Sequence, residues 1–153
     1  MTLDDADKLI SSYLSSQWTT TPLAWPNLDP RSFSTVGQPL LPQGTAAYVA
    51  LRSIGRGSKT VTVPGTCIRY SGQLFIASCV KENTGVRQAK VTLSGLIALI
   101  ENVTLRGSTG ILRFGSFTGP ACYSTPEGWY VEEIGALYQF ERSAQSPHEV
   151  LIP

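Results

Sequence analysis

The sequence predicts an α+β domain, a mainly antiparallel sheet of four or more strands with two helices packed on one of its faces. Three observations carry that expectation. Apolar residues recur at helical spacing in two segments, near the N-terminus and between Gly85 and Ile100. Period-two alternation dominates most of the remainder. Several strand-like segments follow one another with no helix between them, so the crossover units of a parallel sheet are missing.

Thr2, with Asp5 three residues later, can cap a helix, the hydroxyl accepting an amide hydrogen bond and the acid facing the positive helix end. Leu3, Ala6, Leu9, Ile10, Tyr13 and Leu14 then share one side, while Ser11, Ser12, Ser15 and Ser16 take the other. Pro22 and Pro26 forbid continuation, so "PLAWPNLDP", Pro22 to Pro30, reads as an irregular connection. Within its Trp25-Pro26-Asn27 turn, Asn27 is expected to make turn hydrogen bonds and Trp25 to anchor the turn on the body; contact of Trp25 with a partner protein is the competing expectation. Residues 31–45 hold Gly37, Pro39, Pro42 and Gly44 without any period, which reads as a loop or arm able to reach a neighbour.

Thr45 to Ile54 reads as a strand interrupted at Gly55 and Gly57, and Lys59 to Val63 as the next. Cys67 to Tyr70 and Gln73 to Val80 read as a hairpin turning at Ser71-Gly72. The period then changes. Val86, Ala89, Leu93, Leu96, Ile97 and Ile100 form an apolar stripe, widened by Ala98 and Leu99, which predicts a second helix buried more fully than the first. Ile111 to Phe117 follows as a strand, Gly119 to Gly128 as a loop and Trp129 to Phe140 as a long strand. Leu9, Ile10, Leu93, Leu96, Ile97 and Trp129 are the expected core residues. One domain over residues 1–142 is expected, with 143–153 as a C-terminal tail. Two helices on one face leave the other to be explained: either it is polar, or other subunits cover it.

The 153 residues are 42% hydrophobic and 15% charged, a charge density below the roughly 25% of ordinary soluble domains. Twelve Lys and Arg against eleven Asp and Glu leave a net charge of +1, too little for a field that collects phosphates, so sequence-specific nucleic acid binding is not expected. The apolar runs are too short to span a membrane, and Thr2 to Ser12 carries acids where an export signal needs an unbroken apolar stretch. Cys67, Cys79 and Cys122 are odd in number and form no C-x-x-C pair, which favours reduced thiols in the cytosol while leaving a disulfide between two of them open.

The chemistry-bearing clusters of enzymes are missing. "GRGSKT", Gly55 to Thr60, lacks the Gly directly before its Lys that a phosphate loop needs, and "TVTV" follows where a helix should start. His148 is the single histidine, so no His-based triad and no multi-histidine metal site can be built. Glu132 and Glu133 are adjacent and point to opposite faces of a strand, a poor acid/base pair. No catalytic residue, metal or cofactor is expected.

The N-terminal helix followed by "PLAWPNLDP", then "YSGQLFIASCVKENTGVRQAKVTLSGLIALIEN", then "EGWYVEEIGALYQFER", resembles the tail terminator, or tail completion, family of long-tailed bacteriophages and their prophages. The matching positions are Trp25-Pro26-Asn27, Gly72 to Ile76, Gly85 to Ile100 and Gly128-Trp129-Tyr130, spread over most of residues 3–142. Leu28 stands where the family carries an aromatic, and the "VKENTG" link replaces a proline. The resemblance implies a non-enzymatic virion protein at the junction of tail and neck, assembled in the bacterial cytoplasm as a homohexameric ring. Such a ring caps the tail tube protein, stops its polymerisation and meets the head-tail connector, with DNA passing through its lumen. Arg52, Arg56, Lys59, Arg69, Lys81, Arg87 and Lys90 are the candidates for subunit or lumen contacts. A neck or connector protein of the same particle, or an unrelated monomeric binding module, are the alternatives.

Overall fold

The computed structural model describes residues 1–25, 46–60 and 67–143. Pro26 and Asn27, the 31–45 arm and the tail beyond residue 143 lie outside the described residues.

The first helix, α1 (Leu3–Gln17), starts with the expected capping box: the Asp5 amide donates to Thr2 Oγ1 at 3.1 Å, and the Thr2 amide donates to Asp5 Oδ2 at 2.8 Å. Those bonds hold the Asp5 carboxyl below its ordinary range. Ala6, Ile10 and Leu14 are its buried positions, at the i, i+4, i+8 spacing of a narrow stripe, and Leu9 at the stripe's margin is half-buried. The second helix, α2 (Val86–Ile100), buries Ala89, Thr92, Leu93, Leu96 and Ile100. Ile97 and Leu99 are half-buried against the core and Ala98 is exposed, so the stripe is narrower than the sequence suggested. The helices touch each other: the Tyr13 hydroxyl donates to the Leu99 carbonyl at 2.8 Å, and the Trp18 ring lies against Gly95.

Among the described residues, six strands make one mixed sheet that curls into a half-barrel: β1 (Leu23–Ala24), β2 (Ala47–Thr60), β3 (Cys67–Lys81), β4 (Thr104–Gly107), β5 (Gly110–Ser124) and β6 (Trp129–Ser143). Their order is β1-β2-β3-β6-β5-β4; β1 runs parallel to β2 and every other neighbouring pair is antiparallel.

Three boundaries differ from the sequence reading. Gly55 and Gly57 do not end a strand; they form a bulge inside β2, which runs through to Thr60. Ser71-Gly72 is not a turn: β3 is continuous from Cys67 to Lys81, and Gly72 is there because a side chain would collide with the Tyr138 ring. Gly119 to Ser124 belongs to β5, which carries two bulges, between Phe114 and Phe117 and between Thr118 and Ala121. Two short strands add to the expected set, β1 inside the segment read as a connection and β4 before β5, because two or four residues carry too little alternation to register.

Alternation divides the long strands cleanly. Val49, Leu51, Leu74, Ile76, Leu112, Phe114, Ile134, Ala136, Tyr138 and Phe140 face the helices and pack with Ile10, Leu14, Leu93 and Leu96 into the main core. On the far face a smaller cluster joins Ala24, Tyr48, Ala77, Cys79 and Val131, with Trp129 half-buried beside it, its ring edge-on to Tyr48 at 4.9 Å.

Candidate assembly surface

Among the described residues, the far face of the sheet is neither uniformly polar nor covered by a helix. Next to the small apolar cluster, Arg52 on β2 lies over the Phe75 ring of β3, 4.4 Å from its centroid, and its guanidinium is 4.0 Å from Glu133 on β6. Farther along, the Arg69 Nε donates to Glu141 Oε1 at 3.0 Å, and this ion pair holds the Glu141 carboxyl below its ordinary range. Half the side of Arg69 is solvent-exposed, so the pair orders the surface more than it stabilises the fold.

The cationic candidates separate by element. Register puts Arg52, Lys59, Arg69 and Lys81 on the far face, together with Arg106 and Arg113, which sequence reading did not single out because β4 and the start of β5 had no assigned orientation. Among the described strand residues, the carboxylates on that face are Glu133 and Glu141. Arg56 sits in the β2 bulge, and Arg87 and Lys90 are exposed on α2, on the opposite side of the sheet. A molecule of net charge +1 therefore carries a biased sheet face, a feature that totals conceal.

Trp25 is half-buried and packs against the main core, and among the described residues its buried Nε1 has no hydrogen-bond partner. Glu132 and Glu133 do point to opposite faces. Glu132 is buried under the helices, where Oε1 accepts a 2.9 Å hydrogen bond from the Tyr130 hydroxyl. That bond, more than burial, pushes the Tyr130 phenol up to about 12.

Shallow cavities among the described residues border the sheet. One of about 310 Å³ lies at the start of α2, between Lys81, Asn83, Val86 and Tyr130; another of about 240 Å³ lies at the first β5 bulge, beside Arg113 and Leu137. Among the described residues there is no group of three or more metal-ligating side chains. Cys67, Cys79 and Cys122 form no disulfide, and no described helix is long and apolar enough to cross a membrane.

No family model and no curated protein matches this chain. Solved structures do: one, a protein known only by a sequence identifier, superposes with a TM-score of 0.53 at 17% identity, over 93% of this chain and 98% of its own. At that identity the likeness concerns the fold alone.

Proposed function

We propose that this chain is a structural virion protein, a tail terminator that caps the head-proximal end of a long-tailed phage's tail tube, stops tube growth and presents the interface to the head connector. The observation that carries the reading is the sheet's far face, cation-rich and studded with Phe75, Leu137 and Trp129, which leaves accessible surface where a ring of copies has neighbours to place. The terminator-like ordering of Trp25-Pro26-Asn27, Gly72 to Ile76, Gly85 to Ile100 and Gly128-Trp129-Tyr130 supports it independently. On this reading the two helices pack on the outer side of a mainly antiparallel sheet, the protein is a homohexamer at the tail-neck junction, and it works without catalysis or cofactor. Arg52, Arg56, Lys59, Arg69, Lys81, Arg87 and Lys90 are then the candidates for lumen or subunit contacts, with Arg87 and Lys90 on the other side of the sheet from Arg52, Lys59, Arg69 and Lys81.

Ring closure is expected to strengthen on a six-fold tube end, because a template that binds only the assembled form stabilises it by mass action. Mass measurement and electron imaging, at high concentration and with purified tail tubes, test the reading. Six copies seated on tube ends are expected, with overlong tails in particles assembled without the protein. Tails of normal length that fail to join heads would assign the chain to the neck instead, and failure both to self-associate and to bind tube ends would sink the virion role.

A further inference from the structure

The two outer long strands, β2 and β5, each carry a stretch that no described strand covers. On β2, β1 pairs only at Val49 and Ala50, so the edge from Leu51 to Thr60 is open among the described residues. On β5, β4 pairs only from Gly110 to Arg113, leaving Phe117 to Ser124 open. Such edges present unpaired amides and carbonyls and act as templates for another strand.

Existing bonds fix which groups point outward. The Val49 amide donates to the Pro22 carbonyl on the β1 side, whereas the Ala46 carbonyl accepts from the Lys81 amide on the β3 side, so Leu51 and Ser53 point out and Arg52 and Ile54 point in. On β5 the Thr125 amide donates inward to the Trp129 carbonyl, so Tyr123 also points in, and Cys122 and Ser124 point out. Across the order β2-β3-β6-β5 strand direction alternates at each step, so β2 and β5 run opposite ways. Copies placed head to tail would continue the antiparallel sheet without a break in polarity.

Two exposed apolar side chains mark the register. Ile54 is 44% exposed and Tyr123 47% exposed, and both stand on the far face, one at each open edge. We propose that β2 of one copy pairs with β5 of the next, antiparallel, with Ile54 opposite Tyr123; this deepens the ring reading above by naming its subunit seam. Ser53 then meets Ser124 as a hydrogen-bonded pair of outward groups, and Ile54 and Tyr123 form a non-hydrogen-bonded pair, the kind whose side chains approach most closely. Thr60 falls against Phe117, so the two open windows coincide, and the β2 bulge at Gly55/Gly57 faces the β5 bulge at Thr118/Ala121. Pro120, which has no amide hydrogen, sits in that bulge where no ladder bond is asked of it.

The register also has the stagger of a closed sheet. Within one copy Tyr123 shares its row with Val131, Cys79 and Tyr48. Joining it to Ile54 of the next copy moves from position 48 to 54, about 20 Å along the strands, over four strand spacings of about 4.8 Å. The implied strand tilt is roughly 45°, at the upper end of what closed barrels use.

The test is a cysteine pair, Ile54→Cys with Tyr123→Cys, in a Cys67→Ser, Cys122→Ser background, oxidised mildly at rising concentration. Within one copy these positions lie at opposite edges of the sheet, so any disulfide between them joins two copies. A ladder of cross-linked species is expected, with mass spectrometry locating the 54–123 bond; each single-cysteine variant should stop at dimers, and Ile54→Cys with Val91→Cys should give no ladder. Ile54→Asp, checked for native circular dichroism, should abolish association, since the seam is lost while the fold is kept. Oligomers that never form the 54–123 bond would overturn the seam and leave the ring reading standing. A 54–123 ladder on a protein that closes no ring and ignores tube ends would uphold the seam and overturn the terminator. No association under any condition would defeat both.

Discussion

Gly72 faces Tyr138 across the β3–β6 pair, and the phenol ring covers the glycine so closely that a Cβ there would overlap the ring. From that slot the Tyr138 hydroxyl comes within 2.6 Å of Ser53 Oγ on β2, so one side chain spans three strands and meets Phe114 edge-on from a fourth. Gly72→Ala is expected to cost about 1–3 kcal/mol through overpacking, because Tyr138 must leave its position. Tyr138→Phe keeps the ring in its slot and should cost only about 1 kcal/mol for the lost hydrogen bond. Urea unfolding of the two variants gives the comparison; a Gly72→Ala variant as stable as the parent would show that the ring can move freely.

A second prediction concerns alkaline pH. Cys79 is buried in the far-face cluster, and burial pushes its thiol from an ordinary 9.0 up to about 11. The folded state thus holds this proton more tightly than the unfolded chain. Its contribution is complete below pH 9 and is lost as the pH rises through 11, amounting to roughly 2–3 kcal/mol. Burial raises the Tyr48 phenol in the same direction. Cys79→Ala should therefore show a shallower fall in unfolding free energy between pH 9 and 11 than the parent does; parallel curves would refute the assignment.

The helices were the legible part of this fold. The Thr2/Asp5 capping box and the α2 stripe were readable because a cap and a 3.6-residue period are local signals, needing no knowledge of partners. The strands were harder where glycine has a tertiary reason. Gly72 looks like a turn residue until Tyr138 is placed above it, and Gly55 with Gly57 look like a strand end until β3 pairs through the bulge. The β5 edge was hidden in the same way: Gly119 and Pro120 spell a loop, while the bulge they form lets Ala121 to Ser124 rejoin β6. The far-face cations were named singly, but their grouping depends on register, which no single strand encodes.

Packing beneath α2 supplies a third prediction. Leu96 is fully buried among core residues of both helices and the sheet, so Leu96→Ala should destabilise by about 2–5 kcal/mol. Val91, on the same helix, is 63% exposed, and Val91→Ala should change stability by no more than about 0.5 kcal/mol. Thermal and urea unfolding of the pair separates core loss from helix propensity; equal effects would mean that α2 does not sit on the sheet as described.

The last prediction comes from a polar pair left incomplete under the same helix. Ser78 and Glu132 are cross-strand partners on the helix side of β3 and β6, 1% and 3% exposed, and among the described residues neither Ser78 Oγ nor Glu132 Oε2 has a hydrogen-bond partner. The Ser78 hydroxyl can donate and Glu132 Oε2 can accept, yet the two atoms do not bond, and buried polar groups left unpaired cost about 1–3 kcal/mol. Glu132→Gln keeps an oxygen for the Tyr130 hydroxyl and sets beside Ser78 a neutral amide, which is cheaper to bury than a carboxylate and can both donate and accept, so it is expected to stabilise the isolated protein by about 1 kcal/mol at neutral pH. The gain should depend on the serine: in a Ser78→Ala background the same exchange should be smaller, which a double-mutant cycle measures directly. Tyr130→Phe removes the hydrogen bond that Glu132 Oε1 accepts from the phenol and should act in the opposite direction, by about 1–3 kcal/mol. If Glu132→Gln instead destabilises as much as Tyr130→Phe does, the carboxylate is satisfied in solution by a donor such as a buried water, and the pair is complete after all.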